Sequence, residues 1–169
     1  MDKIISYLNG GDLRSIAKVE EIIPLIKTQV DFDELFRFLF SSDRLLVMRA
    51  ADAVEKISLT CPQFLSAHKK EINNFLHTAA DKEFKWHIAL IVSRVDLSEE
   101  EQNIVWNRLS GWATDKKESK IVRVNSLQSL NDFAKQHKEF QEKLEIIIQQ
   151  ILTENIPSLN ARIKKIKRK

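Results

Sequence analysis

The chain has 169 residues, 43% of them apolar and 30% charged, with only three Gly and three Pro, which allows a sizeable core but leaves a sheet-rich fold short of turn residues. One cysteine, Cys61, excludes an intramolecular disulfide and any Cys-based zinc site. The formal net charge is +3, but six of the last eight residues are basic, and without those six the chain holds 21 basic against 24 acidic side chains. The basic character therefore belongs to the tail, and bulk charge provides no nucleic-acid groove over the body.

The chain opens with Ile4, Ile5, Tyr7 and Leu8, too few apolar residues for a signal-peptide core or a membrane span. With the single cysteine pointing to a reducing compartment, a cytoplasmic protein with no membrane partner is expected. Asp2 to Leu8 and Asp12 to about Gln29 read as a helix pair split by Gly10-Gly11, the second helix interrupted near Pro24. Next comes a helix over roughly 32 to 41 with Leu35, Phe36, Phe38 and Leu39, then one carrying Val47, Ala50, Val54 and Ile57. A third pair follows: roughly 66 to 79 with Ile72, Phe75 and Leu76, then a helix with Lys85, Ile88, Val92 and Val95. In the fourth, roughly 98 to 113 carries Val105, Leu109 and Trp112 ahead of Arg123, Ser126, Leu130 and Phe133. A helix over roughly 139 to 154 with Leu144, Ile147, Ile148 and Ile151 precedes a short basic one, begun by Pro157 and striped by Leu159, Ile163 and Ile166.

The second helices repeat one another. Their four marked positions share the offsets 0, 3, 7 and 10, and the three sets lie 38 residues apart twice in succession. Asp43 and Asp81 share that spacing at N-cap positions, and Ser119 takes the equivalent place in the third unit. A 38-residue period is close to that of helix-pair repeats, in which each unit buries its apolar face against the next. The expected fold is all-α, a right-handed α-solenoid of about five antiparallel helix pairs forming one domain over 1–169. Residues 1–30 would cap its start, 31–156 carry the repeats, and 157–169 close its end.

Asp43 with Arg49, in the run Val47-Met48-Arg49-Ala50-Ala51-Asp52-Ala53-Val54, resembles the signature of HEAT repeats, whose second helix carries a Val-Arg pair after a capping Asp. Ile121 to Leu127 looks like a second copy, shifted by two residues, and Glu83 to Leu90 like a third; His87 and Asn125 stand where Arg49 does. Over roughly residues 31 to 169 the chain is similar to small bacterial HEAT or armadillo-type proteins without assigned activity. The resemblance implies a fold and leaves the function open, because one solenoid architecture hosts unrelated tasks.

Motifs of catalysis are scarce. Gly10, Gly11 and Gly111 are the only glycines and make no phosphate loop, and His68, His77, His87 and His137 lack the spacing of a helical zinc site. No cofactor or metal is expected. If offsets 0, 3, 7 and 10 face the core, offsets 2, 5, 8 and 9 face away. They are Arg49, Asp52, Glu55 and Lys56; His87, Leu90, Ser93 and Arg94; and Asn125, Gln128, Asn131 and Asp132. In a HEAT-like stack this row lines the concave face, or it is merely solvated. From the row, Arg49, Asp52, Lys56, His87, Arg94, Asn125, Gln128 and Asp132 form the candidate binding face. Lys164, Lys165, Lys167 and Arg168 are the candidate contacts to an anion.

The expected function is a non-enzymatic scaffold whose concave face holds a peptide or protein, with partner identity and oligomeric state left open. The alternative is a nucleic-acid-binding protein similar to the HEAT-type DNA alkylation-repair glycosylases, with Trp86, Trp106 and Trp112 as an aromatic platform and the basic C-terminus as a phosphate contact. Packing between repeats is the competing reading of those tryptophans.

Overall fold

The computed structural model describes residues 2–9 and 18–168. The Gly10-Gly11 break, the start of the helix expected from Asp12, and Lys169 of the basic tail lie outside the described residues. Among those described, every regular element is an α-helix or a 3-10 turn, and none is a strand. The chain divides into two compact units, Met1–Lys69 and Lys70–Lys169.

In the first unit, α1 (Asp2–Leu8) and the single turn α2 (Val19–Ile22) precede a 3-10 turn that starts at Ile23 and carries Pro24. Proline has no N–H to donate and crowds the preceding turn, so the helix stops there as expected. Helix α3 (Gln29–Phe36) begins a few residues earlier than the apolar pattern suggests, because Thr28 and Asp31 form a capping box. Its last residues tighten into a 3-10 turn, Arg37–Phe40. Helix α4 (Arg44–Thr60) starts where Asp43 accepts from the Leu45 amide, and it packs against α1, α2 and α3. Ala50, Ala51 and Ala53 are fully buried, small side chains that let neighbouring backbones come close. A third 3-10 segment, Pro62–His68, lays His68 flat on Phe36, with ring centroids 3.9 Å apart, and brings its Nε2 within 2.6 Å of Asp33 Oδ1.

The second unit comprises α5 (Lys69–Thr78, starting at the boundary), α6 (Lys82–Val92), α7 (Glu99–Thr114), α8 (Lys120–Gln136), α9 (Gln141–Leu152) and α10 (Pro157–Lys167). Ser98 and Glu101 form a capping box at α7, Ser119 caps α8, and Pro157 sits in the first turn of α10. Asp81 holds the N-cap position of α6 with extended backbone but makes no side-chain capping bond. Helix α8 is the centre of this unit, in contact with α6, α7, α9 and α10, while α7 and α9 also touch each other. Ala50 in the first unit and Ile88 and Ser126 in the second are all fully buried.

Two features set the geometry of the C-terminal end. Asn155 adopts φ 53°, a left-handed conformation that asparagine tolerates better than most residues, and turns the chain from α9 into α10. Helix α10 then buries Leu159 and Ile163 against α8 and α9, contributing roughly 1.5–3 kcal/mol for each side chain removed from water. Ile166, expected in the same stripe, remains only half-buried.

Candidate functional site

Of the twelve residues expected to be exposed across the second helices, five are buried, Ser93 and Asn131 among them, and seven are half-buried. Arg49 is 0% exposed, His87 5% and Asn125 8%. These three are corrections to the sequence reading. Conversely Val47 and Lys85, expected to face the core at offset 0, are only half-buried. A helix clasped by neighbours on several sides buries more than half its circumference, so offset 2, at the margin of the outer face, is covered. Offsets 5 and 9 still reach solvent, with Asp52, Lys56, Leu90, Arg94, Gln128 and Asp132 half-buried.

Several of these residues are committed within the chain. Arg49 Nη1 donates to the Leu8 carbonyl at 2.5 Å, satisfying the C-terminal end of α1. Arg123 does the same for α7 through Ala113 (2.9 Å), and Arg108 for α5 through Leu76 (2.7 Å). Lys56 lies between Glu20 (2.5 Å) and Asp52 (2.9 Å). Burial alone would lower its pKa, but the hydrogen bonds to both carboxylates prevail and raise it. At offset 0, Lys85 pairs with Glu118, and Arg123 grips Glu154 through two N–H···O bonds of 2.9 and 2.7 Å. The Arg123 and Glu154 side chains are only 2% and 6% exposed. Burial works against ionisation of Glu154, yet the Arg123 hydrogen bonds hold its pKa below the ordinary value.

The tryptophans divide differently from the platform reading. Trp106 and Trp112 are each 3% exposed. Trp106 stacks on Phe140 at 4.4 Å between centroids, and Trp112 is approached by the Lys85 ammonium and the Arg108 guanidinium at 5.7 and 5.3 Å. Neither presents a free face to a base, and Trp86 alone is half-buried.

What the structure does bring together is part of the outer face of α8 and the basic face of α10. Between them lies a cavity of about 290 Å³, whose α8 wall is Gln128, Asn131 and Lys135 and whose α10 wall is Arg162, Lys165, Ile166 and Arg168. Residues spaced by three and four stand above one another on a helix. Thus 128, 131 and 135 make one stripe and 162, 165 and 166 the facing one. Four cations line the cavity and no carboxylate does. Arg162 Nη1 donates to Gln128 Oε1 at 2.8 Å, tying the walls together. Asp132 sits behind them, where its Oδ1 accepts from Gln128 at 2.8 Å and from Asn131 at 3.3 Å.

Of the four residues expected to contact an anion, Lys165 and Arg168 line this cavity. Lys167 turns instead to Glu145 on α9, at 3.0 Å, and Lys164 is exposed outside it. Lys135 was missed. Its signal was available, since it continues the α8 stripe one turn beyond Asn131, but it lies past the ten-residue window of the repeat.

A smaller cavity of about 190 Å³ lies between α5 and α7, lined in part by Asn73, whose Oδ1 is buried without a hydrogen bond, and by Leu76, Ile104 and Val105. Among the described residues no group of three or more His, Cys, Asp or Glu is placed to hold a metal ion, and no helix is long and apolar enough to cross a membrane. Comparison with protein-family models, with curated proteins and with solved structures finds no match for the chain.

Proposed function

We propose that the protein is a non-enzymatic binding module of stacked helix pairs, of the solenoid kind that the HEAT-like runs suggest, and that it holds an acidic segment of a protein partner in the α8–α10 cleft. The stacking has support in the second unit, where α8 lies against both α6 and α10 and α7 lies against α9, so that like-numbered members of successive pairs are neighbours. The observation that carries the binding reading is the charge of the cleft. Lys135, Arg162, Lys165 and Arg168 line it without a lining carboxylate. Charge of one sign focused in a concavity raises the local concentration and on-rate of an oppositely charged partner.

The test is calorimetric titration of the intact chain with an Asp/Glu-rich peptide, beside the variant K135E/K165E/R168E. These three positions are exposed, so the variant should keep its far-ultraviolet circular dichroism and lose the binding. Undiminished binding by the variant would move the site elsewhere. The nucleic-acid reading now rests on the basic helix alone, because the buried tryptophans give it no platform. Duplex DNA bound with a log–log salt slope near −3.6, about 0.9 for each of four phosphate contacts, would restore it.

A further inference from the structure

Given that the α8–α10 cleft is a ligand site, we infer that the group it is built to take is a phosphomonoester, presented on a phosphorylated side chain of the partner. The charge count is the first argument. Four cationic side chains line the cleft. Asp132 behind the wall offsets one of them through the Gln128 and Asn131 amides. About three positive charges therefore face the cavity. A glutamate would neutralise one, whereas a phosphomonoester carries about −1.5 to −2 near neutral pH and neutralises most of the excess.

The second argument is donor geometry. Gln128 gives its amide N–H to Asp132 and turns its oxygen to Arg162, which spends one N–H on it at 2.8 Å and is thereby held in orientation. The remaining guanidinium donors, the fork of Arg168, and the ammonium groups of Lys135 and Lys165 match a group with three acceptor oxygens better than the two of a carboxylate. None of Lys135, Lys165 and Arg168 has a carboxylate partner among the described residues. By contrast, Lys167 on the adjacent face of α10 is occupied by Glu145, which pins the helix without filling the cleft. Size agrees: about 290 Å³ lies at the lower end of ligand pockets, enough for a phosphate with its side chain and too small for a folded element.

The experiment measures binding of three fluorescent peptides to the intact chain by anisotropy, identical except for phosphoserine, glutamate or serine at one position. Inorganic phosphate serves as competitor, and a single-stranded oligonucleotide of matched charge as a further arm. The phosphopeptide should bind about tenfold more tightly than the glutamate peptide, the margin of one additional charge-assisted contact, and inorganic phosphate should displace it. Arg168→Gln, at an exposed position, and Arg162→Gln should each weaken it by a similar factor. Lys164→Gln, the same charge change outside the cleft, should not.

Equal binding of the phosphoserine and glutamate peptides overturns the phosphate inference and leaves the acidic-segment reading standing. No binding by any peptide, phosphate or oligonucleotide overturns both. Phosphate bound without the phosphopeptide removes the protein source and leaves the phosphate chemistry. Preference for the oligonucleotide assigns the cleft to nucleic acid. Equal losses in Lys164→Gln and Arg168→Gln would reduce the effect to bulk charge and sink the cleft as the site.

Discussion

Helices α4 and α8 stand at the same position of the sequence repeat, each runs 17 residues, and each is capped by a short polar side chain, Asp43 or Ser119. Their interiors differ. The buried face of α4 is aliphatic and methionine side chains with two polar residues, Arg49 and Ser58, whereas α8 buries Arg123, Asn125, Ser126, Ser129 and Asn131 among its leucines. Helix α4 is held mainly by apolar contact, joined by the Arg49 bond to the Leu8 carbonyl and the Lys56–Glu20 pair. Helix α8 is held by directional bonds: Arg123 to the Ala113 carbonyl and to Glu154, Ser129 to the Ala89 carbonyl, and Gln128 to Arg162. One repeat register thus accommodates two kinds of interior, and the cleft opens beside the polar one.

The largest effect is expected at Ala50 of α4. Ala50→Arg would drive an unpaired charge into a fully enclosed site, and a loss of more than about 4 kcal/mol is expected in urea unfolding, enough to abolish the folded first unit. A folded variant of near-native stability would mean that α4 has room beside it after all.

Next in size is Arg123→Met, which strands the Glu154 carboxylate and should cost roughly 3–5 kcal/mol. Adding Glu154→Gln should recover part of that loss, and the double-mutant cycle measures the coupling. Arg49→Met, which leaves the Leu8 carbonyl without this donor, should cost about 1–3 kcal/mol. Equal losses at the two arginines would remove the distinction drawn between the helices.

A pH series tests the same pair. The folded pKa of Glu154 lies below its ordinary value of 4.5, chiefly because of the Arg123 hydrogen bonds. Its contribution is therefore present above that value and lost as pH falls below it towards the folded pKa. Glu154→Gln should flatten the acid limb of stability against pH, and an unchanged limb would assign acid sensitivity to other carboxylates. One of those is Asp33, whose pKa is lowered chiefly by the Gln29 hydrogen bond and also by His68.

The smallest effects distinguish two serines of α8. Ser126 Oγ is buried without a hydrogen bond, so Ser126→Ala should be neutral or stabilising by up to about 1 kcal/mol. Ser129→Ala loses the bond to Ala89 and should cost about 1 kcal/mol. Thermal unfolding of the two variants side by side would show whether the polar interior of α8 is uniformly stabilising.

Features that depend on residues within one or two helical turns are legible along the chain. Helical content, the equivalence of Ala50, Ile88 and Ser126, the caps at Asp43 and Ser119, the break at Pro24 and the start at Pro157 all follow from spacing of three or four and from local backbone hydrogen bonding. Tertiary structure alone decided how wide each buried face is and who meets whom across helices. Arg49, His87 and Asn125 sit at the edge of an apolar stripe, and whether an edge is wet depends on how many neighbours flank the helix, which no single helix encodes. Arg123 finds Glu154 at a separation of 31 residues, and Gln128 finds Arg162 at 34. The cleft required α10 to fold back beside α8, and only that approach set Lys135 opposite Lys165, since charges far apart in sequence become one field only when packing brings them within a screening length.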